Sequence, residues 1–177
     1  LEQLKGVGRE MFVRAINKVQ PGLIRTEADE LTYSLHVLVR YELEKMLIEK
    51  NLDVKELPKL WADKYEEYLG IRPENDAEGV LQDIHWAQGS FGYFPSYALG
   101  SAFGAQMLVQ MKKEMDFEKL LEEGRLDVIR EYLRIHVHRY GKMKTSREIL
   151  RDMTGEEFQP RYYVEYLKEK YRKLYAI

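Results

Sequence analysis

Apolar residues recur at helical spacing along most of this chain, and this periodicity constrains the fold more than any other feature. One stripe near the end consists of Tyr163, Leu167, Tyr171 and Leu174. No alternation of apolar and polar residues extends beyond about four positions, so no half-buried strand is indicated. The sequence therefore predicts an all-α fold, with residues 1–177 forming a single helical region.

Glycine, proline and capping residues divide the pattern into predicted helices. Their approximate ranges are 1–19, 26–50, 58–69, 96–115, 116–123, 126–139, 146–154 and 160–177. Thr26 to Asp29 has the form of a capping box at the start of the second helix, and Ser146 is the expected N-cap of the seventh. The predicted buried side of the second helix carries Leu31, Leu35, Leu38, Glu42 and Met46. Residues 70–95 are expected to be irregular.

The overall charge is nearly balanced, with 28 Lys and Arg against 30 Asp and Glu. This balance gives no electrostatic reason to expect a nucleic acid or an anionic membrane as partner. No apolar run reaches the roughly 18 residues that a membrane span requires. The absence of cysteine excludes disulfides and thiolate metal sites. We expect a cytoplasmic protein, and the 33% charged fraction favours a thermostable one.

The segment from Gly79 to Tyr97 concentrates chemically useful side chains among glycines and a proline. It contains an imidazole, a carboxylate, a carboxamide and two phenols, in a pattern typical of a shaped loop that leads into a helix. Together with an upstream arginine, the candidate site residues are Arg25, Gln82, Asp83, His85, Tyr93 and Tyr97.

Several kinds of catalytic site are excluded by motif. The chain has no H-E-x-x-H, and His136 and His138 are two residues apart, which directs their rings away from each other on a helix. His36 is expected to be a core histidine. Neither a G-x-S-x-G elbow nor a Gly-Lys-Ser/Thr phosphate loop occurs.

The remaining groups suit substrate binding and electrophilic assistance. Neutral His and Tyr side chains can donate hydrogen bonds to a developing oxyanion, and Arg can bind a carboxylate through two parallel hydrogen bonds. A structural alternative explains the same residues as an aromatic core cluster with Asp83 as a turn cap. The spacing of the residues leaves both explanations open.

Two motifs resemble the carboxypeptidase Taq family of zinc metallocarboxypeptidases. Residues 24–29 (IRTEAD) are similar to that family's I-R-x-x-A-D motif, and residues 79–86 (GVLQDIHW) to its G-x-x-Q-D-x-H-W motif. The resemblance implies that Arg25 binds the terminal carboxylate of the substrate. It also implies roles around the scissile carbonyl: His85 and Tyr97 hold the carbonyl and its oxyanion, Tyr93 lines the pocket, and Gln82 and Asp83 orient His85.

The same resemblance implies the C-terminal portion of a deep-grooved, zincin-type helical metallopeptidase. Such an enzyme would be a homodimer that removes C-terminal amino acids from peptides with broad specificity. Its zinc, or another divalent metal such as cobalt, would be bound by residues outside this chain, because the family's H-E-x-x-H and its H-P-F and D-x-R-x-T motifs are absent here. With Leu rather than Met at position 1, we expect a fragment of a longer polypeptide, inactive alone.

The sequence is also compatible with two alternatives. One is a catalytically inert helical interaction module. The other is one half of a split metallopeptidase whose second chain carries the metal ligands.

Overall fold

All regular structure in residues 2–177 is helical, which confirms the predicted all-α class. The computed structural model describes these residues and contains no strand among them. The α-helices are α1 (Arg9–Ile16), α2 (Glu30–Glu49), α3 (Leu57–Leu69), α4 (Pro95–Glu114), α5 (Phe117–Glu122), α6 (Leu126–His136), α7 (Ser146–Thr154) and α8 (Arg161–Tyr175). No helix in this range combines the length and hydrophobicity that crossing a membrane requires.

The first predicted helix is interrupted. Residues Glu2–Leu4 form a 3₁₀ turn, and α1 begins only at Arg9, because Gly6 adopts φ of 84° and breaks the helical path. Leu1, the first residue of the predicted helix, lies outside the described residues.

Helix α2 begins later than predicted, and its N-cap is Asp29 rather than Thr26. The Asp29 carboxylate accepts the backbone N–H groups of Leu31 and Thr32, both at 3.0 Å. Thr26 lies instead in a separate 3₁₀ turn, Arg25–Glu27. The Asp29 carboxylate therefore caps α2, and Arg25 is held in a turn of its own. The predicted cap of α7 is also shifted by one residue, since Thr145 and Glu148 form its capping box.

The buried side of α2 is not the predicted apolar stripe. Leu31 is 39% exposed, and the predicted residues Leu35 and Met46 are only partly buried against the apolar core. Besides apolar residues, four polar residues at four-residue intervals are buried: Thr32, His36, Arg40 and Glu44. We call these four residues the polar stripe of α2. Hydrophobic periodicity could not locate this face, because burial of its polar groups depends on partners from distant segments.

Residues Leu1–Ala98 and Leu99–Ile177 form two compact units, and the boundary falls within α4. In the first unit α2 packs against α3. Its apolar core contains Val39, Leu43, Leu57, Trp61, Tyr65 and Leu69. The α3 helix ends at Gly70 in the left-handed conformation, and the irregular segment that follows leads to α4, as predicted.

The second unit is organised around a buried glutamine on α4. Gln106 Oε1 accepts the backbone N–H of Gln159 at 2.9 Å, and its Nε2 lies 3.3 Å from Thr154 Oγ1. This side chain thereby connects α4 to the segment after α7. Tyr171 from the predicted stripe of α8 is buried. All candidate site residues lie in the first unit.

Candidate active site

Residues 79–86 form an irregular segment in which two apolar side chains are exposed while the polar ones point inward. Leu81 and Ile84 are 71% and 70% exposed. Gln82 and Asp83, by contrast, hydrogen bond with groups inside the first unit. Val80 and Trp86 pack against the apolar core, so core packing and a buried polar network together hold the segment in place.

Gly79 allows this segment to approach α3 closely. A Cβ atom at Gly79 would lie 3.2 Å from the backbone oxygen of Asn75 and 3.6 Å from a ring carbon of Trp61. A side chain at this position would crowd the backbone oxygen of Asn75, so the absence of a Cβ atom at Gly79 relieves a tight contact within the segment.

Asp83 is shared by two arginines. Its Oδ1 accepts hydrogen bonds from Nε and Nη2 of Arg25, at 3.1 and 2.7 Å, and its Oδ2 accepts one from Nε of Arg40 at 2.6 Å. All three side chains are almost fully buried. Each carboxylate oxygen therefore carries its own charge-assisted contact.

Gln82 holds the backbone of the 3₁₀ turn that contains Arg25. Its Oε1 accepts the backbone N–H of Arg25 at 2.9 Å and Nη2 of Arg40 at 2.7 Å. Its Nε2 donates to two backbone carbonyl oxygens at 3.0 and 2.8 Å. Gln82 and Asp83 thus bind the two arginines, whereas the sequence predicted that they orient His85.

Arg25 lies at the edge of the buried network, with 6% of its surface exposed. Besides its contacts with Asp83, its Nη1 donates to Tyr33 Oη at 3.0 Å. Its guanidinium carbon lies 4.7 Å from the ring centroid of Tyr97. Three of its five N–H groups are used in these hydrogen bonds, and two remain for a further acceptor.

Arg40 belongs to the site and was missed in the sequence. It is completely buried, and its guanidinium stacks 4.5 Å from the Trp61 ring centroid. Its Nη1 donates to the His36 carbonyl oxygen and to Tyr65 Oη, at 2.8 and 3.1 Å. The available signal was the spacing of polar residues on α2, since His36 and Arg40 are one helical turn apart.

The two arginines determine the protonation of Asp83. Burial by itself would raise the pKa of Asp83, but hydrogen bonds from Arg25 and the charge of Arg40 outweigh burial and lower it below its ordinary value. Burial would likewise lower the pKa of Arg25, but contacts with Asp83 raise it instead. Asp83 and Arg25 are therefore both charged at neutral pH.

His85 and Tyr97 form the pair that the resemblance predicts for carbonyl binding. His85 Nε2 lies 3.0 Å from Tyr97 Oη. The other ring nitrogen, Nδ1, is buried without a hydrogen bond, but it lies 3.9 Å from Asp83 Oδ1. That distance is too long for a hydrogen bond. Phe94 packs beside the imidazole, with ring centroids 4.4 Å apart.

Tyr93 borders this pair on its exposed side. Its ring centroid lies 5.7 Å from that of His85 and 5.3 Å from that of Tyr97, and half of its surface is exposed. The loop that carries it is held by Glu44, whose carboxylate accepts the backbone N–H of Gly92. Residues separated by more than seventy positions in the chain therefore meet in one place.

The arrangement offers two kinds of hydrogen-bond donor to a bound molecule. Arg25 can donate to a carboxylate, and Tyr97 or His85 can donate to a carbonyl oxygen as it gains negative charge. Because the Arg25 guanidinium stacks on the Tyr97 ring, the two donor types are adjacent. The aromatic alternative raised from the sequence is compatible with this site, since Phe94 forms its buried base.

The histidines are dispersed in the described part of the chain. His36 is buried and its Nδ1 contacts Tyr65 Oη at 3.0 Å, while its Nε2 makes no hydrogen bond. His136 ends α6, and His138 lies exposed in the turn that follows. Within residues 2–177 no three His, Asp or Glu side chains are grouped closely enough to hold a metal ion. These residues by themselves do not fit a metal centre.

The sequence is similar to known carboxypeptidases along nearly its whole length. It is 49% identical over 176 residues to Carboxypeptidase 1 of Bacillus subtilis, and this alignment covers 99% of this chain and 35% of the relative. It is 44% identical over 156 residues to Thermostable carboxypeptidase 1 of Pyrococcus furiosus, and this alignment covers 88% of this chain and 31% of the relative. The chain therefore spans about a third of the length of these relatives.

Solved structures show the same similarity. The M32 carboxypeptidase from Deinococcus radiodurans R1 aligns with a TM-score of 0.94 at 38% identity, over 99% of this chain and 36% of that protein. A carboxypeptidase from Pyrococcus furiosus aligns with a TM-score of 0.93 at 41% identity, over 97% of this chain and 35% of that protein.

The family assignment follows from the extent of these matches. Residues 1–171 match the family described as Carboxypeptidase Taq (M32) metallopeptidase. The match includes both motifs on which the resemblance in the sequence was based. The chain belongs to the carboxypeptidase Taq (M32) metallopeptidase family.

Proposed function

We propose that this chain is the substrate-binding part of a metallocarboxypeptidase that releases amino acids from the free C-terminus of peptides. The observation that carries the proposal is the adjacency of Arg25 to the hydrogen-bonded pair of His85 and Tyr97. Family membership and the names of the relatives support the reaction class.

In this proposal Arg25 binds the terminal carboxylate of the peptide. Its two remaining N–H groups can donate to the two carboxylate oxygens, and the surrounding burial strengthens that interaction. A carboxylate is common to every peptide end, so recognition through Arg25 favours broad specificity for the released residue.

Tyr97 and His85 act on the scissile carbonyl. Tyr97 Oη donates to the oxygen as negative charge develops, and His85 Nε2 either supports the phenol or donates beside it. Tyr93 lines the same pocket from the exposed side. Both tautomers of His85 satisfy the 3.0 Å contact, because a phenol hydroxyl can donate to or accept from Nε2.

The family's metallopeptidase class implies a divalent metal, which we propose is zinc or cobalt. Since the described residues do not form a metal centre, no catalytic step in this chain is assigned to the metal. We place its ligands in the part of the family's chain that this sequence does not cover. We also propose that the complete enzyme is a cytoplasmic homodimer.

The experiment that tests the proposal compares two variants in the complete enzyme. Arg25→Ala should raise KM for peptides with a free C-terminus by about 100-fold, which is the loss of affinity expected when the charge-assisted hydrogen bonds to one carboxylate are removed. Tyr97→Phe should lower kcat by about 10²- to 10³-fold with little change in KM, because it removes one donor to the oxyanion.

The wild-type control is a pair of peptides that differ only in a free or amidated C-terminus. Equal hydrolysis of the two would disprove carboxylate recognition. An unchanged kcat in Tyr97→Phe would reduce this residue to a packing role beside Phe94.

A further inference from the structure

Arg25 and Arg40 share a single carboxylate, which leaves the buried cluster with one positive charge in excess. In the described part of the chain, Asp83 is the only carboxylate in ion-pair contact with either guanidinium. Glu44, one turn after Arg40 on α2, is held by the backbone N–H of Gly92 and makes no ion pair with Arg40. A buried charge without a counter-ion is costly, so the cluster favours the arrival of a second anion.

The two arginines differ in what they can still bind. Arg40 has no exposed surface and uses four of its five N–H groups, on Asp83, Gln82, Tyr65 and the His36 carbonyl oxygen. It therefore cannot reach a substrate. Arg25 keeps two N–H groups and a small exposed area, so an incoming anion would contact Arg25.

We propose that Arg40 is a positioning residue that gives Arg25 its affinity for the terminal carboxylate of the substrate. This inference rests on the proposed function. Arg40 neutralises Asp83 through Oδ2 and orients it, so the charge of Arg25 is not cancelled by its own partner. Without Arg40, the pair of Arg25 and Asp83 would be neutral overall and would attract a carboxylate only weakly.

The test measures product-like inhibitors of the complete enzyme, with an N-benzoyl amino acid and its carboxamide as the probes. In Arg40→Met, Ki for the acid should rise by about 10- to 100-fold, the range expected for one lost charge interaction in a partly buried site. Ki for the carboxamide should change by less than about twofold, because that probe carries no charge for the cluster to attract.

A double variant separates charge from structural support. Adding Asp83→Asn to Arg40→Met restores the net positive charge around Arg25, so Ki for the acid should recover by about tenfold relative to the single variant. If Arg40 had a purely structural role, Ki for the acid would instead rise further in the double variant, because the second substitution removes another buried contact. Failure of the double variant to recover affinity overturns the proposal.

Two controls distinguish the possible failures. Lys64→Met removes a partly buried cation that pairs with Glu42 away from the site, and it should leave both Ki values unchanged. If Arg25→Ala weakens acid binding and Arg40→Met does not, the inference on Arg40 is wrong and the proposed function stands. If Arg25→Ala also has no effect on acid binding, the proposed carboxylate recognition is wrong as well.

Discussion

At the scale of single residues, the site depends on the sharing of a few polar atoms. Asp83 illustrates this dependence, because its two oxygens serve arginines from two different elements. The motif letters indicated that Asp83 belongs to the site, but they assigned it to His85. Asp83 Oδ1 lies 3.9 Å from His85 Nδ1, beyond hydrogen-bond distance, and the hydrogen bonds of Asp83 go to the two arginines.

His36 is the residue for which we predict a measurable pH dependence. Burial is the largest cause that lowers its pKa to about 4, and the charge of Arg40 acts in the same direction. Arg25 also lowers the pKa of His36, while Asp29 and Asp83 oppose the shift. The folded protein therefore keeps the ring neutral at pH values where the unfolded chain binds a proton.

The free energy of unfolding should consequently fall as pH decreases from 6.5 towards 4. The contribution of His36 is fully present above pH 6.5 and is lost at about 1.4 kcal/mol per pH unit within this window. Urea unfolding at pH 7, 6 and 5 measures the slope. The lowered pKa of Asp83 acts only below its ordinary value of 3.8, outside these conditions.

Substitution of the histidine gives the matched control for this pH effect. His36→Phe should flatten the slope between pH 7 and 5, because the titrating group is removed. His138→Gln changes an exposed histidine in the turn after α6 and should leave the slope as it is. An unchanged slope in His36→Phe would assign the acid sensitivity to another group.

At the scale of secondary-structure elements, the local sequence predicted well which helices exist and approximately where each begins and ends. The α3 helix was predicted with its Pro58 start, its buried Trp61 and Tyr65, and its Gly70 end, all of which the structure confirms. Helix α2 was predicted as an element, and Leu35 and Met46 of its predicted face pack against the core, but its buried polar stripe was not predicted. The difference arises because the polar stripe of α2 is stabilised by distant partners such as Asp83.

The end of α3 gives a prediction about helix termination. Gly70 has φ of 69° and open space where a Cβ would lie, so Gly70→Ala should cost only the strain of the left-handed conformation, about 1 kcal/mol. Gly104 lies inside α4, also with open space, and Gly104→Ala should instead stabilise by about 0.5–1 kcal/mol. Thermal or urea unfolding of the two variants checks the opposite signs. Destabilisation by both would show that Gly104 is packed against another surface.

Gly100 and Gly104 of α4 both face open space, although α4 carries several small residues. A run of small residues on a helix usually indicates close backbone approach. Ala102 and Ala105 are buried accordingly, but a Cβ atom at either glycine would have no described neighbour within 4 Å apart from adjacent residues and the backbone of its own helix.

At the scale of the whole molecule, the unit that carries the site exposes unusual apolar surface around it. Leu81, Ile84 and Phe91 are exposed beside the buried polar network. Exposed apolar groups next to a functional site are typical of an interface. In the proposed enzyme, the part of the family's chain that this sequence does not cover is the expected partner of this surface.

The corresponding prediction concerns the 177-residue chain by itself. After dialysis against zinc and then buffer, metal analysis should find much less than one zinc per chain, and peptide hydrolysis should be undetectable. The complete enzyme under the same conditions is the control. Stoichiometric zinc in the isolated chain would show that its own residues form a metal site.

The sequence alone determined the helical class, most helix bounds, the family and the identity of six candidate site residues, because periodicity, capping and motifs are local properties. Only the tertiary structure showed that Arg40 joins Arg25 around Asp83 and that Gln82 holds the arginine turn. These contacts link residues more than forty positions apart. Burying any one of these polar groups alone would be unfavourable, and they are stable because they hydrogen bond with one another when buried together. A local sequence pattern does not show which distant group is the partner of each.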